Sequence, residues 1–196
     1  MKNIIGLTGP TGSGKSSLKA VAEKLGAAFI DCDKVVHEIF ETDNDCVSAL
    51  KNAFGNEILQ EGKIDRKALG EKAFSSKENT ALLNQTVFPF VTYRILKIIS
   101  EAKEQTVVLD APTLFESGID EICGATVAVL ASEEIRRQRI MDRDNLTKER
   151  ADLRLSAQQS EEFFKAKAEK IFYNNNDIKA LEEEFEDFLQ GFMGGK

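Results

Sequence analysis

Apolar residues near the start of the chain run together without alternation. Asn3–Thr8 holds Ile4, Ile5 and Leu7 in a short block that ends at glycine, as expected of a strand covered on both faces. Similar blocks recur at Ala28–Asp31, at the Thr-Val-Val-Leu-Asp of Thr106–Asp110 and at Ala125–Leu130, with a weaker one at Lys170–Tyr173. Between the first two, the period lengthens: Leu18, Ala22 and Leu25 recur at helical spacing over 16–25, and Gly26 suits the left-handed residue that closes a helix. The stretch between the second and third strands reads as helices at 45–54, 65–74, 78–87 and 89–103, the last with Pro89 at a favoured first position. Residues 191–196 read as a loose tail.

Strands alternating with helices predict an α/β protein: three layers, with a mainly parallel five-stranded sheet and helices on both faces. At 196 residues the chain suits one domain, and the long helical stretch is an insertion on that frame rather than a second core. The expected core covers about 1–35, 105–135 and 168–196, with a helical insertion at about 36–104 and a lid at about 136–166. A formal charge of −7 argues against a general nucleic-acid binder, and no apolar run is long enough for a membrane span. The N-terminus shows no cleavable signal pattern, and the three cysteines, Cys32, Cys46 and Cys123, form no C-x-x-C pair. Reduced thiols and a cytoplasmic protein are the expectation. With His37 the single histidine, a zinc site is not expected.

The glycine-rich turn after the first strand changes the picture most. Gly9-Pro-Thr-Gly-Ser-Gly-Lys15-Ser16 satisfies G-x-x-x-x-G-K-[ST], between a strand and a helix as the mechanism requires. Such a loop turns backbone N–H groups inward around phosphates, and the following helix adds its positive end. Lys15 would reach the β- and γ-phosphates, and the Ser16 hydroxyl would ligate Mg²⁺. The motif implies nucleoside triphosphate binding. A guanine-reading N-K-x-D is missing, since Asn174-Asn-Asn-Asp177 lacks the lysine, and Asp110-Ala-Pro-Thr113 lacks the glycine of a D-x-x-G switch. A small chain with a helical insertion to hold a second substrate fits a kinase acting on a small molecule.

Ligands in such folds bind beyond the carboxyl ends of the strands, so residues there are the candidates. Asp31-Cys32-Asp33 ends the second strand, where carboxylates at i and i+2 would point the same way. Asp33 reads either as the carboxylate that aims an acceptor hydroxyl or as the N-cap of a helix over 34–40. His37, four residues on, reads as a phosphate contact or as a helix-face partner of Asp33. Asp110 ends a strand, as the Mg²⁺-water ligand of a Walker-B motif would, or starts the next turn. Glu116 holds substrate or is a solvated loop acid. Six of the eight arginines lie between 136 and 154. Arg139 and Arg143 share a helix face, Asp144-Asn145 breaks that helix, and Thr147 caps the next one. A helical hairpin carrying arginines reads as a lid that closes over a triphosphate, against the alternative of a salt-bridged solvent helix.

Taken in order, these pieces resemble the dephospho-coenzyme A kinase family over nearly the whole chain. The resemblance rests on Ile5 to Gly9 leading into the loop, Phe29 to Asp33 with His37, and Ile64 to Leu69. It continues with Leu83-Asn84 and Pro89, Pro112 to Glu116, Arg139 to Asp144, Arg154 with Gln158, and Ala168 to Asn174. It implies transfer of the ATP γ-phosphoryl to the ribose 3′-hydroxyl of dephospho-coenzyme A, on a P-loop NTPase fold. Asp33 would act as base, and Lys15 with Arg139 or Arg143 would stabilise the transferred group. ATP would lie against Thr8, Gly9, Thr11, Gly12, Ser13, Gly14, Lys15, Ser16, Ser17, the two lid arginines and Asn174. The acceptor would meet Asp31, Asp33, His37, Pro89, Leu114, Phe115 and Glu116. Mg²⁺ would sit on Ser16, with Asp110 as a second candidate. The partners implied are these two small molecules, with no nucleic acid or membrane. Phe88-Pro89 stands where the family has His-Pro, Thr113 replaces a leucine, Pro10-Thr11 replaces a Gly-Ile-like pair, and no glycine follows Asn176. A kinase of the nucleoside monophosphate or shikimate type is the alternative enzyme, and a nucleotide-binding switch the alternative outside catalysis.

Overall fold

The computed structural model describes residues 2–195. Strand β1 (Asn3–Thr8) runs into the glycine loop, one 3₁₀ turn (Lys15–Ser17) and helix α1 (Leu18–Lys24). Strand β2 (Ala28–Asp31) leads to helices α2 (Cys32–Thr42) and α3 (Asn44–Phe54), the short strands β3 (Leu59–Gln60) and β4 (Lys63–Ile64), then α4 (Arg66–Ala73) and α5 (Lys77–Glu101). Strands β5 (Thr106–Asp110) and β6 (Ala125–Leu130) follow, then α6 (Glu133–Asp144), α7 (Lys148–Ser156), α8 (Glu161–Lys167), β7 (Lys170–Tyr173) and α9 (Ile178–Gly194). The chain divides into two compact units, one of Met1–Ile30 with Ala102–Lys196, the other of Asp31–Glu101.

The first unit is built on a sheet of strand order β2-β5-β1-β6-β7. β1 pairs in parallel with β5 and β6, and β6 in parallel with β7. The register sets Leu7 beside Asp110, Thr8 beside Ala128 and Leu130 beside Tyr173, so the carboxyl ends of these four strands share one edge. Ile5, Leu7, Val127, Val129 and Phe172 of the sheet pack with Leu18, Val21 and Ala22 of α1 and with Leu181, Phe185 and Leu189 of α9. Phe185 meets Phe172 edge-on, with ring centroids 6.2 Å apart. α1 ends as its sequence predicts: Gly26 has φ +79°, and the Ala27 N–H reaches back 2.9 Å to the Ala22 carbonyl. No helix of the described residues is long and apolar enough to cross a membrane.

The second unit carries α2 to α5. Asp43 and Asp65 cap α3 and α4, each accepting from two backbone N–H groups. Two expectations fail here. The helices expected at 78–87 and 89–103 are the single helix α5, with Pro89 inside it. A proline there removes one backbone hydrogen bond and crowds the preceding turn. Val87, Val91, Ile95 and Ile99 nevertheless bury one stripe at four-residue intervals on both sides of it, and that shared face keeps the helix continuous. The β3–β4 pair also interrupts what reads as all helix. Its two turn residues, Glu61 and Gly62, have φ +51° and +81°, the left-handed pair that a tight two-residue hairpin requires.

A third correction lies at the end of the chain. Residues 191–194, expected as loose tail, are the last turn of α9. Phe188, Phe192 and Met193 pack against the core cluster and hold that turn despite its glycines. Residue 196 lies outside the described residues.

Because Pro89 is exposed and proline disfavours a helix interior by about 3 kcal/mol relative to alanine, Pro89→Ala should stabilise the protein by about 1–2 kcal/mol. The urea midpoint measures this. An unchanged or lower midpoint would show that the helix depends on the bend proline imposes.

Candidate active site

The loop between β1 and α1 is held in a shape that only glycine permits at two corners. Gly9 has φ +135°, and a Cβ there would stand 2.2 Å from the Val129 carbonyl oxygen of the neighbouring strand. Gly14 has φ +101°, and its Cβ would stand 2.1 Å from the Asn174 side-chain nitrogen. The loop is thus pressed between β6 and the residues that follow β7.

Side chains from outside the loop take up its carbonyls. Arg136 Nε donates to the Thr11 carbonyl at 3.0 Å, and Arg139 Nη1 to those of Gly12 and Ser13 at 3.2 and 3.4 Å. The Asn174 amide, almost fully buried, donates to the Ser13 carbonyl at 2.8 Å, while its own oxygens accept from Arg139 Nη2. A trans peptide sets its C=O and N–H on opposite sides. The N–H groups of Gly12 and Gly14, which share peptide planes with the Thr11 and Ser13 carbonyls, therefore face away from these donors. That is the orientation an anion-binding loop needs. Lys15 Nζ lies 2.6 Å from the Gly9 carbonyl, folded along the loop, and the Ser16 side chain is exposed at the start of the 3₁₀ turn. Ser17 Oγ donates to the Gly14 carbonyl at 3.0 Å. Thr8 is buried, with Oγ1 donating to the Pro112 carbonyl at 3.3 Å.

Asp110 closes β5 beside Leu7, and the next N–H, of Ala111, bonds the Leu7 carbonyl at 2.9 Å. The half-buried carboxylate is therefore one strand away from the entry to the loop. Beyond it, Leu114 is fully buried against Gly6. Phe115 meets Phe163 edge-on at 6.0 Å with Lys167 Nζ 5.5 Å from its ring, and Glu116 accepts from Gln159 at 3.2 Å.

The arginine-rich segment forms the predicted helical pair, with α7 capped by Thr147. Its arginines divide by task. Arg136 and Arg139 brace the loop, whereas Arg143 and Arg154 both pair with Asp144, and Arg137 pairs with Asp152 and Glu133. The two residues named together from sequence, Arg139 and Arg143, thus do different things in this structure. Nothing in the sequence marks Arg136 for this task beyond its place one helical turn before Arg139. Gln158 entered only as part of the family resemblance.

In the second unit, Asp31 caps α2, accepting from the Lys34 N–H at 3.1 Å. The helix starts at Cys32, two residues earlier than expected, so Asp33 is neither a continuation of the strand nor the cap. It stands exposed in the first turn of α2, with the half-buried His37 one turn further along the same helix. Pro89 is the one expected acceptor contact on α5. The expected residues are therefore distributed over both units: the phosphate loop, Asp110, the 114–116 loop and Asn174 in the first, and Asp31, Asp33, His37 and Pro89 in the second.

The hydrogen bond from Arg143, with Arg154 close by, holds the Asp144 carboxyl down at about 2. A carboxylate whose folded value is depressed adds stability above its unfolded value, near 3.8, and loses it as pH falls through the folded one. Asp144→Asn should therefore flatten the fall in the stability of the α6–α7 pair between about pH 4 and pH 2. Hydrogen exchange of α7 amides across that range tests it, and an unaltered pH slope would assign the acid sensitivity elsewhere.

A family model described as dephospho-CoA kinase matches residues 3–180. A dephospho-CoA kinase from Enterococcus faecalis is 34% identical over the full length of both chains. One from Saccharomyces cerevisiae is 32% identical over 98% of this chain and 84% of its own. Among solved structures, the dephospho-CoA kinase from Campylobacter jejuni is 30% identical, with a TM-score of 0.69 over 100% of this chain and 99% of that one. A shikimate kinase from Bacteroides thetaiotaomicron, 18% identical with a TM-score of 0.59 and 98% coverage of each chain, shares the fold. A matching family model across most of the sequence, joined by relatives above 30% identity that cover 98–100% of it, establishes that this chain belongs to the dephospho-CoA kinase family.

Proposed function

We propose that this protein transfers the γ-phosphoryl group of ATP to the ribose 3′-hydroxyl of dephospho-coenzyme A, giving coenzyme A and ADP in the cytoplasm. The observation that carries the proposal is the braced glycine loop at the carboxyl edge of a parallel sheet, in a chain of this family. Loose phosphoryl transfer needs little covalent help; it needs charge stabilisation and aim. The loop N–H groups and Lys15 bind the β- and γ-phosphates, and displacing Lys15 from the Gly9 carbonyl frees its ammonium to do so. Thr8, Ser13 and Ser17 complete the lining of the phosphate site, and Asn174, tied to the Ser13 carbonyl, lies on the side where the adenine is held.

Ser16 and Asp110 are hard oxygen ligands on two neighbouring elements of one edge, and they suit Mg²⁺. The metal would neutralise charge on the phosphates. Asp33 aligns the acceptor hydroxyl and takes its proton as the oxygen bonds to phosphorus and the bond to ADP breaks. A carboxylate of ordinary basicity suffices, because the proton moves late in a loose transition state. Its place in the sequence supports this: Asp33 lies two residues past strand β2, and Asp31, not Asp33, serves as helix cap. Helices α2 to α5, with His37 and Pro89, hold the acceptor together with Phe115 and Glu116, and the α6–α7 lid with Arg139 or Arg143 shields the transfer from water. Both substrates are small molecules, and neither nucleic acid nor membrane takes part.

ADP release should depend on added dephospho-coenzyme A in a coupled assay with ATP and Mg²⁺. Release no faster than the ATPase background, with turnover on a shikimate or nucleoside monophosphate acceptor instead, would replace this reading. Asp33→Asn should lower kcat by about 10²–10⁴ while calorimetric ATP affinity stays near that of the parent. Lys15→Ala should impair both. Near-parental turnover in Asp33→Asn would remove that carboxylate from the chemistry.

A further inference from the structure

The phosphate loop is gripped at Thr11 by two side chains that come from different parts of the lid. Arg136, on α6, donates Nε to the Thr11 carbonyl at 3.0 Å. Gln158, just past the end of α7, accepts the Thr11 N–H on Oε1 at 2.7 Å. The same Oε1 accepts Arg136 Nη2 at 3.2 Å, which closes the arrangement into a ring. Both backbone polar groups of one loop residue are thus held by side chains, and each of those side chains is oriented by the other.

The surroundings fix the ring. Gln158 is set by its own N–H, which bonds the Leu155 carbonyl at 3.2 Å in the last turn of α7, and Leu155 is buried with Ile140 and Ala151 between α6 and α7. Arg136 is half-buried at the other side of the ring. The backbone of α6 lies so near the loop that a Cβ on Gly12 would come within 2.9 Å of the Arg136 carbonyl oxygen. The position of α6 and α7 is therefore transmitted to the curl of the loop at its third residue, one residue before the Gly12 N–H that faces the anion side.

We propose that Arg136 and Gln158 are positioning residues for the triphosphate. Through Thr11 they set the loop curl that aims the Gly12 and Gly14 N–H groups, and they couple this aim to the placement of the lid. Neither residue needs to touch a phosphate. This deepens the phosphoryl-transfer reading and rests on it only in taking the loop to bind phosphates. Because the ring acts as a unit, removing either member releases Thr11, and removing the second adds little. Because it acts on the loop and not on the base, its loss affects nucleotides in proportion to the phosphates they place there.

The test uses the full chain and measures Mg-ATP and AMP affinity by calorimetry, AMP by competition, alongside steady-state kinetics and melting curves. Gln158→Ala should weaken Mg-ATP binding on the order of tenfold. AMP affinity and the KM for dephospho-coenzyme A should stay near the parent, and kcat should fall far less than the KM for ATP rises. Arg136→Ala should weaken Mg-ATP by a similar or larger factor, and the double variant should be no worse than the weaker-binding single within about threefold. Three results would each overturn the proposal: unchanged Mg-ATP affinity in Gln158→Ala, an equal loss for AMP, or fully multiplicative effects in the double variant. If the parent protein bound Mg-ATP but transferred nothing to dephospho-coenzyme A, the proposed function would fall, and the affinity measurements would still decide the role of the ring.

Discussion

A loop that turns its N–H groups toward an anion must send its carbonyls elsewhere, and those carbonyls need donors. In this protein the donors are the guanidinium groups of Arg136 and Arg139 and the buried amide of Asn174. The demand for partners organises much of the first unit. α6 must lie against the loop, the chain after β7 must pass close to Gly14, and the turn after α7 must return to Thr11. Two of the three donors are cations, so the bonds that shape the loop also place positive charge next to the proposed phosphate site. Shape and field come from the same residues.

Much of this was legible in the sequence. The five strands of the main sheet have the bounds their apolar blocks suggest, and the signal is most compact in β1, β5 and β6, which are buried along most of their length so that no surface requirement blurs it. The glycine loop was legible for the opposite reason, since close approach to Val129 and Asn174 excludes every other residue at Gly9 and Gly14. The tertiary role of each arginine was not legible. Arg139 and Arg143 lie one turn apart, yet one meets the loop and the other Asp144. That choice depends on which neighbour the folded chain brings within reach. Arg136 was hidden in the same way, and so was the capping role of Asp31, which differs from Asp33 only by where the strand happens to stop.

Two of the stretches that depart from expectation, around Pro89 and at the end of α9, share one cause: a local preference overruled by packing. Pro89 would end a helix standing alone, but Val87, Val91, Ile95 and Ile99 bury a stripe across it. Gly191 and Gly194 would fray a helix end, but Phe192 and Met193 are held against the core. In each case the apolar spacing was the better guide than the residue that seemed to break it.

The last helix has a further consequence. The family match ends at residue 180, three residues into α9, while Leu181, Phe185 and Leu189 lie buried over the sheet and Phe188 stacks on Phe192 at 6.2 Å. A polypeptide trimmed to the matched span would leave Ile5, Val127 and Phe172 without their aromatic roof, including the strand that feeds the glycine loop. The segment beyond the matched span is thus built into the foundation of the strand that carries the glycine loop.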